Sequence, residues 1–503
     1  MAENNFVNLR ISIGKEKITF IDKLLSANDV SFNLDDNSEN TPIAKNIRIE
    51  LGIAKVFHKV LNLIKAERDL FQKQDFEFLG EMLARILFGK PNDKDIRDYF
   101  LKVAETDLEI SRRDATKICR IFLEFDEKSG MAMLPWEYIL YKTRTPEDSK
   151  AIYLSADIKG RFQLIRRIKS NVTVHPNAER LFVIALINVG GNRNAAPPID
   201  SRLGELSKVK AYFTKLQGKF PDSIVVEYVE SASFGEIKSI IETIYRQWQN
   251  DYEDEPCYVV HYLGHGMLDK QIGMLVLQDE DKIPEWREDK KFAALFGEDR
   301  LDVKQPALVS FQACDSAKIG SINDTLRGIA FEFTKINIPA VIGMQNEIDM
   351  SFSSAFFERL YEQILEGKDI AEAITAARDY LGRGFGVEDE IYVNNSFGSP
   401  VLFITTLEPI TLIRREIHSG VDSNDSIILK SESPIIQRTP FSLGANDGRQ
   451  KKETSTPAVA KKINQNLIAQ TDLARESGDG NSEKMVQIED TSSPVNPPNQ
   501  TDQ

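Results

Sequence analysis

From Leu181 to Thr405 the chain alternates short runs of aliphatic residues with amphipathic stretches of helical period, and this alternation constrains the fold more than any other feature. The runs are LFVIALINV (Leu181 to Val189), SIVVEYV (Ser223 to Val229), YVVHYLG (Tyr258 to Gly264), ALVSFQA (Ala307 to Ala313), AVIGMQ (Ala340 to Gln345) and PVLFIT (Pro400 to Thr405). They are too continuously apolar for strands with one wet face. Such strands belong in a sheet covered on both sides, and the stretches GELSKVKAYFTKL, GEIKSIIETIYRQW, DTLRGIAFEFTKI, FSSAFFERLYEQIL and IAEAITAARDYL supply helices to cover it. The expected class is α/β, a sandwich built on a mainly parallel sheet.

The flanks read differently. Before residue 175, FVNLRISI, KITFI and KICRIFLEF are strand candidates, IRIELGIAKVFHKVLNLIKAERDLF and FEFLGEMLARILFG are helical, and Leu134-Pro135-Trp136-Glu137 follows. Residues 1–175 are therefore expected to form a smaller α+β domain ahead of a main domain at 176–408. Beyond 408 Phe441 is the only aromatic residue, and Ser, Asn, Gln, Thr, Pro and charge dominate. Such a segment, 409–503, cannot bury enough apolar surface to offset its chain entropy, so a disordered tail is expected, from about residue 420 onward. No repeat of solenoid period occurs.

Composition removes several function classes. With 63 Lys and Arg against 77 Asp and Glu, the net charge of −14 argues against a protein that binds nucleic acid by neutralising phosphates. No apolar run approaches the ~20 residues that span a bilayer, and MAENNFVNLRISIG lacks the basic and apolar regions of a secretory signal. Cys119, Cys257 and Cys314 make neither a disulfide framework nor a Cys-x-x-Cys metal site. A cytoplasmic protein is expected, with no metal or cofactor and with neither nucleic acid nor membrane as a direct partner.

Two strand ends carry the chemistry. Tyr258 to Gly264 runs into His265-Gly266, and Ala307 to Ala313 runs into Cys314-Asp315-Ser316-Ala317. In a parallel sheet, functional groups collect outside the carboxyl ends of the strands, where loops converge on a rigid support. If the two strands are neighbours, His265 can act as general base and acid while Cys314 attacks a carbonyl carbon, with the backbone amides of Gly266 and Cys314 holding the oxyanion. The competing reading of Cys314 is a small buried hydrophobe. His261 lies about 13 Å back along the same strand face, too far to share the thiol, and is expected to be a packed core residue. Gly190-Gly191-Asn192 lacks the spacing of a phosphate-binding loop and reads as a surface loop. Arg161, Arg166, Arg167 and Lys169 interleave with Phe162, Leu164 and Ile165 and read as a solvated strand face.

Gln312-Ala313-Cys314, with His265 49 residues upstream, matches the caspase signature. Together with Leu134-Pro135-Trp136-Glu137, GMLVLQDEDK after the histidine, and the paired helices from Asp349 to near Leu381, the chain resembles the CHAT-domain branch of caspase-like cysteine peptidases, which includes separase-like and bacterial defence-associated proteases. The resemblance covers residues 1–408. It implies a caspase-like sandwich preceded by a catalysis-free, pseudo-caspase-like domain, and an endopeptidase that cuts one specific protein through a His265–Cys314 dyad. A gasdermin-like pore former or another toxin precursor is the implied substrate, an upstream sensor or activator the implied partner, and antiviral defence the implied setting. The tetratricopeptide repeats that often accompany this domain are absent from the sequence. The alternative is a catalytically silent adaptor or scaffold of the same fold; retention of both His265 and Cys314 favours the enzyme. Gln312, Asp315, Gln345 and Asp349 are the candidate substrate-pocket residues. A carboxylate at Asp315 disfavours an acidic residue before the cut and neutral Gln312 gives no reason for a basic one, so an uncharged residue is expected, unless Asp315 merely caps a turn.

Overall fold

In β1 (Phe6–Ile13), Leu9, Ile11 and Ile13 are buried while Arg10 and Ser12 are half-exposed, the period of two that one covered face requires. The computed structural model describes residues 6–13, 17–23, 43–46, 73–88, 118–125, 130–142, 151–157, 162–168, 178–188, 205–252, 256–297, 299–322, 325–384 and 395–414. β2 (Lys17–Lys23) and β3 (Ile43–Asn46) extend the sheet from β1 in antiparallel fashion. Helix α1 (Lys73–Phe88) turns Leu79, Leu83, Ile86 and Leu87 onto the core beneath β1 and β4 (Ile118–Phe125), the i, i+4, i+7, i+8 stripe of an amphipathic helix. Trp136 and Tyr138, in the 3₁₀ turn after Pro135, pack into the same core beside the paired strands β5 (Leu140–Lys142) and β6 (Ala151–Tyr153). β7 (Phe162–Arg167) then lies parallel to β4.

Every residue of β8 (Leu181–Asn188) is buried, as the unbroken apolar run requires of a central strand. Helix α2 (Glu205–Lys219) returns the chain to β9 (Ile224–Glu230), and α3 (Ile237–Tyr252) carries it to β10 (Tyr258–Gly264). A separate small sheet follows, β11 (Gly266–Asp269), β12 (Ile272–Gln278) and β13 (Pro284–Glu288), antiparallel throughout, and then the short helix α4 (Asp289–Ala294). β14 (Leu308–Gln312) re-enters the main sheet, the hairpin β15 (Gly320–Ile322) with β16 (Thr325–Arg327) leads into α5 (Ile329–Lys335), and β17 (Ala340–Met344) follows. Helices α6 (Met350–Leu365) and α7 (Ile370–Gly382) complete the path to β18 (Pro400–Ile404).

The main sheet has the order β3-β2-β1-β4-β7-β18-β17-β14-β10-β8-β9. β9, β8, β10, β14 and β17 are mutually parallel, as are β18, β7, β4 and β1, and the two blocks meet where β17 and β18 run antiparallel. Alternate side chains of the first block feed two cores: Val183, Ala185, Val259, Leu263 and Ile342 pack toward α2, α6 and α7, whereas Ile184, Leu186, Tyr262, Phe311 and Val341 pack toward α3, α4 and α5. The result is the expected α/β sandwich with a large, mainly parallel sheet.

Several boundaries differ from the sequence reading. Residues on both sides of 175 share one sheet through the β7–β18 pairing. The fold also continues past 408, because Ile410, Leu412 and Ile413 are buried and the Ala178 N–H donates to the Leu412 carbonyl oxygen. DTLRGIAFEFTKI is not one helix. Thr325–Arg327 is a strand, and α5 starts only after Gly328, whose φ of 151° and close approach to the Lys318 carbonyl, 2.4 Å from where a Cβ would sit, exclude other residues. Arg166 and Arg167 are no solvated face, since both pair with carboxylates inside the protein, Arg166 with Glu137 and Arg167 with Glu124. The helical stretch at 47–71, the loop at Gly190, Arg161, Lys169 and the tail from 415 lie outside the described residues. Among the described residues, no helix is long and apolar enough to cross a membrane, and no group of three or more His, Cys, Asp or Glu could hold a metal ion.

Candidate active site

β10 and β14 are neighbours, parallel, with Leu263 level with Gln312. His265 and Cys314 each stand two residues beyond that pair, so both strand-end groups leave the sheet at the same height on adjacent strands. Both are half-buried.

The turn that carries Cys314 is fixed from three sides. Ser316 is buried; its hydroxyl donates to the Ala313 carbonyl at 2.7 Å and accepts from the Met344 N–H at 2.8 Å. The Ala317 N–H donates to the Met344 carbonyl, and the Ala330 N–H at the start of α5 donates to that of Ser316. Asp315 holds a left-handed φ of 55°, a conformation that Asp tolerates better than most residues. Its carboxylate pairs with Lys318 at 2.8 Å, and its carbonyl accepts from the Lys318 N–H. The carboxylate next in sequence to Cys314 is therefore matched by a cation.

On the histidine side, the His265 carbonyl accepts from the Val276 N–H at 3.1 Å, and Tyr262 Oη lies 3.3 Å from it while donating to the Val276 carbonyl at 2.6 Å. Because His265 and Val276 are hydrogen-bonded partners, the next pair, Gly266 with Leu275, is a non-bonded one, and the Gly266 N–H points away from β12. A Cβ at Gly266 would sit 2.5 Å from the Cys314 carbonyl oxygen, so only glycine lets the two strand ends approach this closely.

His261 lies beneath this edge, completely buried. Its Nδ1 is 2.8 Å from Ser310 Oγ and 3.1 Å from Tyr361 Oη; its Nε2 is 3.1 Å from Tyr212 Oη and 3.2 Å from Gln312 Oε1. Burial pulls its pKa down to about 3, so the ring is neutral at ordinary pH. Gln312 is held in turn, its Nε2 donating to Ser353 Oγ and Ser354 Oγ of α6. Gln345 is engaged as well: it donates to Glu137 Oε2 at 2.8 Å and to the Gly398 carbonyl at 2.6 Å, and accepts from Arg166 at 3.2 Å. Asp349 caps α6 by accepting from the Ser351 N–H, and the Ser351 hydroxyl is the largest influence holding its carboxyl below the ordinary range. The four candidate pocket residues thus have their polar groups committed within the protein.

The sequence reading cited Glu137 only within the Leu-Pro-Trp-Glu motif and gave it no role, whereas its buried carboxylate links Arg166 to Gln345 just beyond β17. The signal for Glu137 was present in Leu-Pro-Trp-Glu, an acid inside an otherwise apolar turn.

An α/β sandwich with His and Cys at adjacent parallel strand ends defines the class of caspase-like folds. The CHAT-domain model matches residues 79–388, and the chain belongs to that family, whose fold is that of caspase-like proteases of the cysteine type in general. Among solved structures, Saccharomyces cerevisiae separase in complex with securin is 12% identical, covering 66% of this chain and 18% of its own, with a TM-score of 0.32. Pro-sf-caspase-1 is 14% identical, with 46% of this chain and 95% of its own covered and a TM-score of 0.30. Chaetomium thermophilum Raptor is 10% identical over 40% of this chain and 20% of its own, with a TM-score of 0.23. The chain spans less than a fifth of the separase chain it matches. No curated protein matches it.

Proposed function

We propose that the protein is a cysteine endopeptidase that cleaves a specific protein substrate through a Cys314–His265 dyad. The observation that carries this reading is the parallel register of Leu263 with Gln312, two residues short of the histidine and the cysteine on adjacent strands. In the reaction, His265 takes the Cys314 proton, the sulfur bonds to the scissile carbonyl carbon, and the electron pair moves onto the carbonyl oxygen. The outward-pointing Gly266 amide and that of Cys314 receive this oxyanion. Collapse of the tetrahedral species breaks the C–N bond as the imidazolium protonates the leaving amine; a water, deprotonated by His265, then releases the acyl group and restores the thiol.

Family membership supports a substrate that is a protein rather than a small molecule, and the related defence proteases support an effector precursor such as a gasdermin-like pore former. The test is labelling with a peptide-based thiol electrophile together with cleavage of a peptide library. Wild type should label and cleave, whereas Cys314→Ala and His265→Ala should lose cleavage by at least about a hundredfold with unchanged melting. Label that persists in Cys314→Ala, or normal cleavage by a folded His265→Ala, would falsify the assignment and leave a scaffold as the reading.

A further inference from the structure

The segments that follow the two reactive strand ends are joined by an ion pair that the dyad chemistry does not use. After His265 the chain forms the hairpin of β11 and β12; after Cys314 it forms a turn, the hairpin of β15 and β16, and then α5. Asp289, the first residue of α4, is fully buried, and its carboxylate bonds to both segments. Oδ2 accepts from the Gly273 N–H of β12 at 3.1 Å. Oδ1 accepts from Arg327, the last residue of β16, at 2.6 Å, and from the Lys290 N–H at 2.6 Å. A Cβ at Gly273 would sit 2.7 Å from the Ile329 nitrogen and 3.0 Å from Asp289 Oδ2, so β12 meets the start of α5 at the same point.

Continuous links run from this point to both reactive residues. On one side, β12 holds the His265 carbonyl through the Val276 N–H. On the other, Gly328 carries the chain from Arg327 into α5, where the Ala330 N–H holds the carbonyl of Ser316, close behind Cys314. Desolvation makes a largely buried ion pair a weak source of stability, and apolar side chains of similar volume often replace one without loss. What this pair does that an apolar pair would not is join, by directed bonds, the hairpin behind the histidine to the segment behind the cysteine.

We propose that Asp289 and Arg327 are positioning residues for the dyad, their ion pair setting the separation of the Cys314 sulfur from the His265 imidazole by holding the two following segments together. The inference rests on the dyad reading. Other charged groups stand around the pair. Glu332 lies 3.3 Å from Arg327 Nε and is matched by Lys335 at 2.9 Å, and Glu288 has Lys291 at 3.6 Å, whereas the cation of Asp289 is Arg327.

The experiment is alkylation of Cys314 by iodoacetamide in the full chain, read by mass spectrometry from about pH 5 to about pH 10, with the thermal melt of each variant recorded alongside. Cys257, which burial pushes up to about 11, is the slow internal reference. His265→Ala should raise the midpoint of the wild-type profile, because it removes the group that shares the thiol proton. Asp289→Asn combined with Arg327→Met removes both charges and leaves an acceptor for the Gly273 N–H. This double variant should melt close to wild type, raise the midpoint in the same direction, and slow alkylation near neutral pH by about tenfold or more. Arg327→Lys, which keeps the cation, should recover most of that loss. A purely structural pair would change the melt and leave the reactivity of the folded protein as it is. If the double variant fails to fold, Asp289→Asn alone, which drops the charge and keeps an acceptor, should shift the profile in the same direction. A folded variant whose profile superimposes on wild type while His265→Ala departs from it overturns the positioning role alone, as does an Arg327→Lys that reacts no faster than the double variant. Coincident wild-type and His265→Ala profiles overturn the dyad and, with it, this inference.

Discussion

The strands of the two parallel blocks bury different kinds of polar side chain, whereas the buried Asp289, paired with Arg327, lies off the strands on α4. Beneath the edge that carries His265 and Cys314, the buried polar side chains of the first block's strands and their helices form a neutral network of His261, Ser310, Gln312, Tyr212 and Tyr361. Around β18, β7, β4 and β1 they are ions: Arg166 with Glu137, Arg120 with Asp369, and Glu124 between Arg10 and Arg167. Burial by itself would raise the Glu124 carboxyl, and its two guanidinium partners outweigh that and hold it below the ordinary range. Arg378, fully buried and brought down to about 10 by desolvation, donates to the Pro400 carbonyl beside the seam between the blocks. The difference assigns separate work to each block. A neutral floor leaves the field at the strand ends to the thiol, the imidazole and their immediate partners, while the ions of the second block tie its strands to the turn at Glu137 and the start of α7, and Gln345 bonds both Arg166 and Glu137 from the first block. Strand direction agrees: the second block runs opposite to the first, so its carboxyl ends face away from His265 and Cys314, and Glu137 reaches that edge only by way of Gln345.

The strongest challenge to this contrast is Arg166→Met. It leaves Glu137 buried without its cation and should cost about 3–5 kcal/mol in urea denaturation. Adding Glu137→Met should recover much of that loss. A cost below about 1 kcal/mol would mean that charge does not tie the turn at Glu137 to the second block.

A smaller effect belongs to the neutral floor. His261 has a folded-state pKa near 3 against an ordinary 6.5, so below pH 6.5 the unfolded chain binds a proton that the folded chain refuses. Its contribution is therefore intact above pH 6.5 and is lost as pH falls toward 3, at about 1.4 kcal/mol per pH unit. Denaturation curves of His261→Gln at several pH values should lack that slope; an unchanged acid limb would place its origin in the ionic block instead. The smallest effect sharpens the contrast by separating buried from exposed charge. Lys219, whose ammonium pairs with Glu362 at 2.6 Å while about half exposed, should lose no more than about 0.5 kcal/mol on Lys219→Ala, and added salt should reduce even that.

Much of this was legible in the sequence. The apolar runs at Leu181, Tyr258, Leu308 and Ala340 announced a covered parallel sheet, because a strand's burial on both faces is written in its own residues. His265 and Cys314 stood out because each directly follows such a run. What the runs could not contain was their neighbours. The antiparallel seam, the burial of Arg166 and Arg167, the neutralisation of Asp315 by Lys318 and the pairing of Asp289 with Arg327 all depend on which strands lie side by side and which turns meet at their ends. Glu137 and Gln345 are 208 residues apart when they bond. Hydrophobic period is a local property that each segment carries by itself, whereas the pairing of charges and the company of a strand end exist only once distant segments have packed, and so the sequence determined the class of sheet while the tertiary structure decided what stands around its two reactive ends.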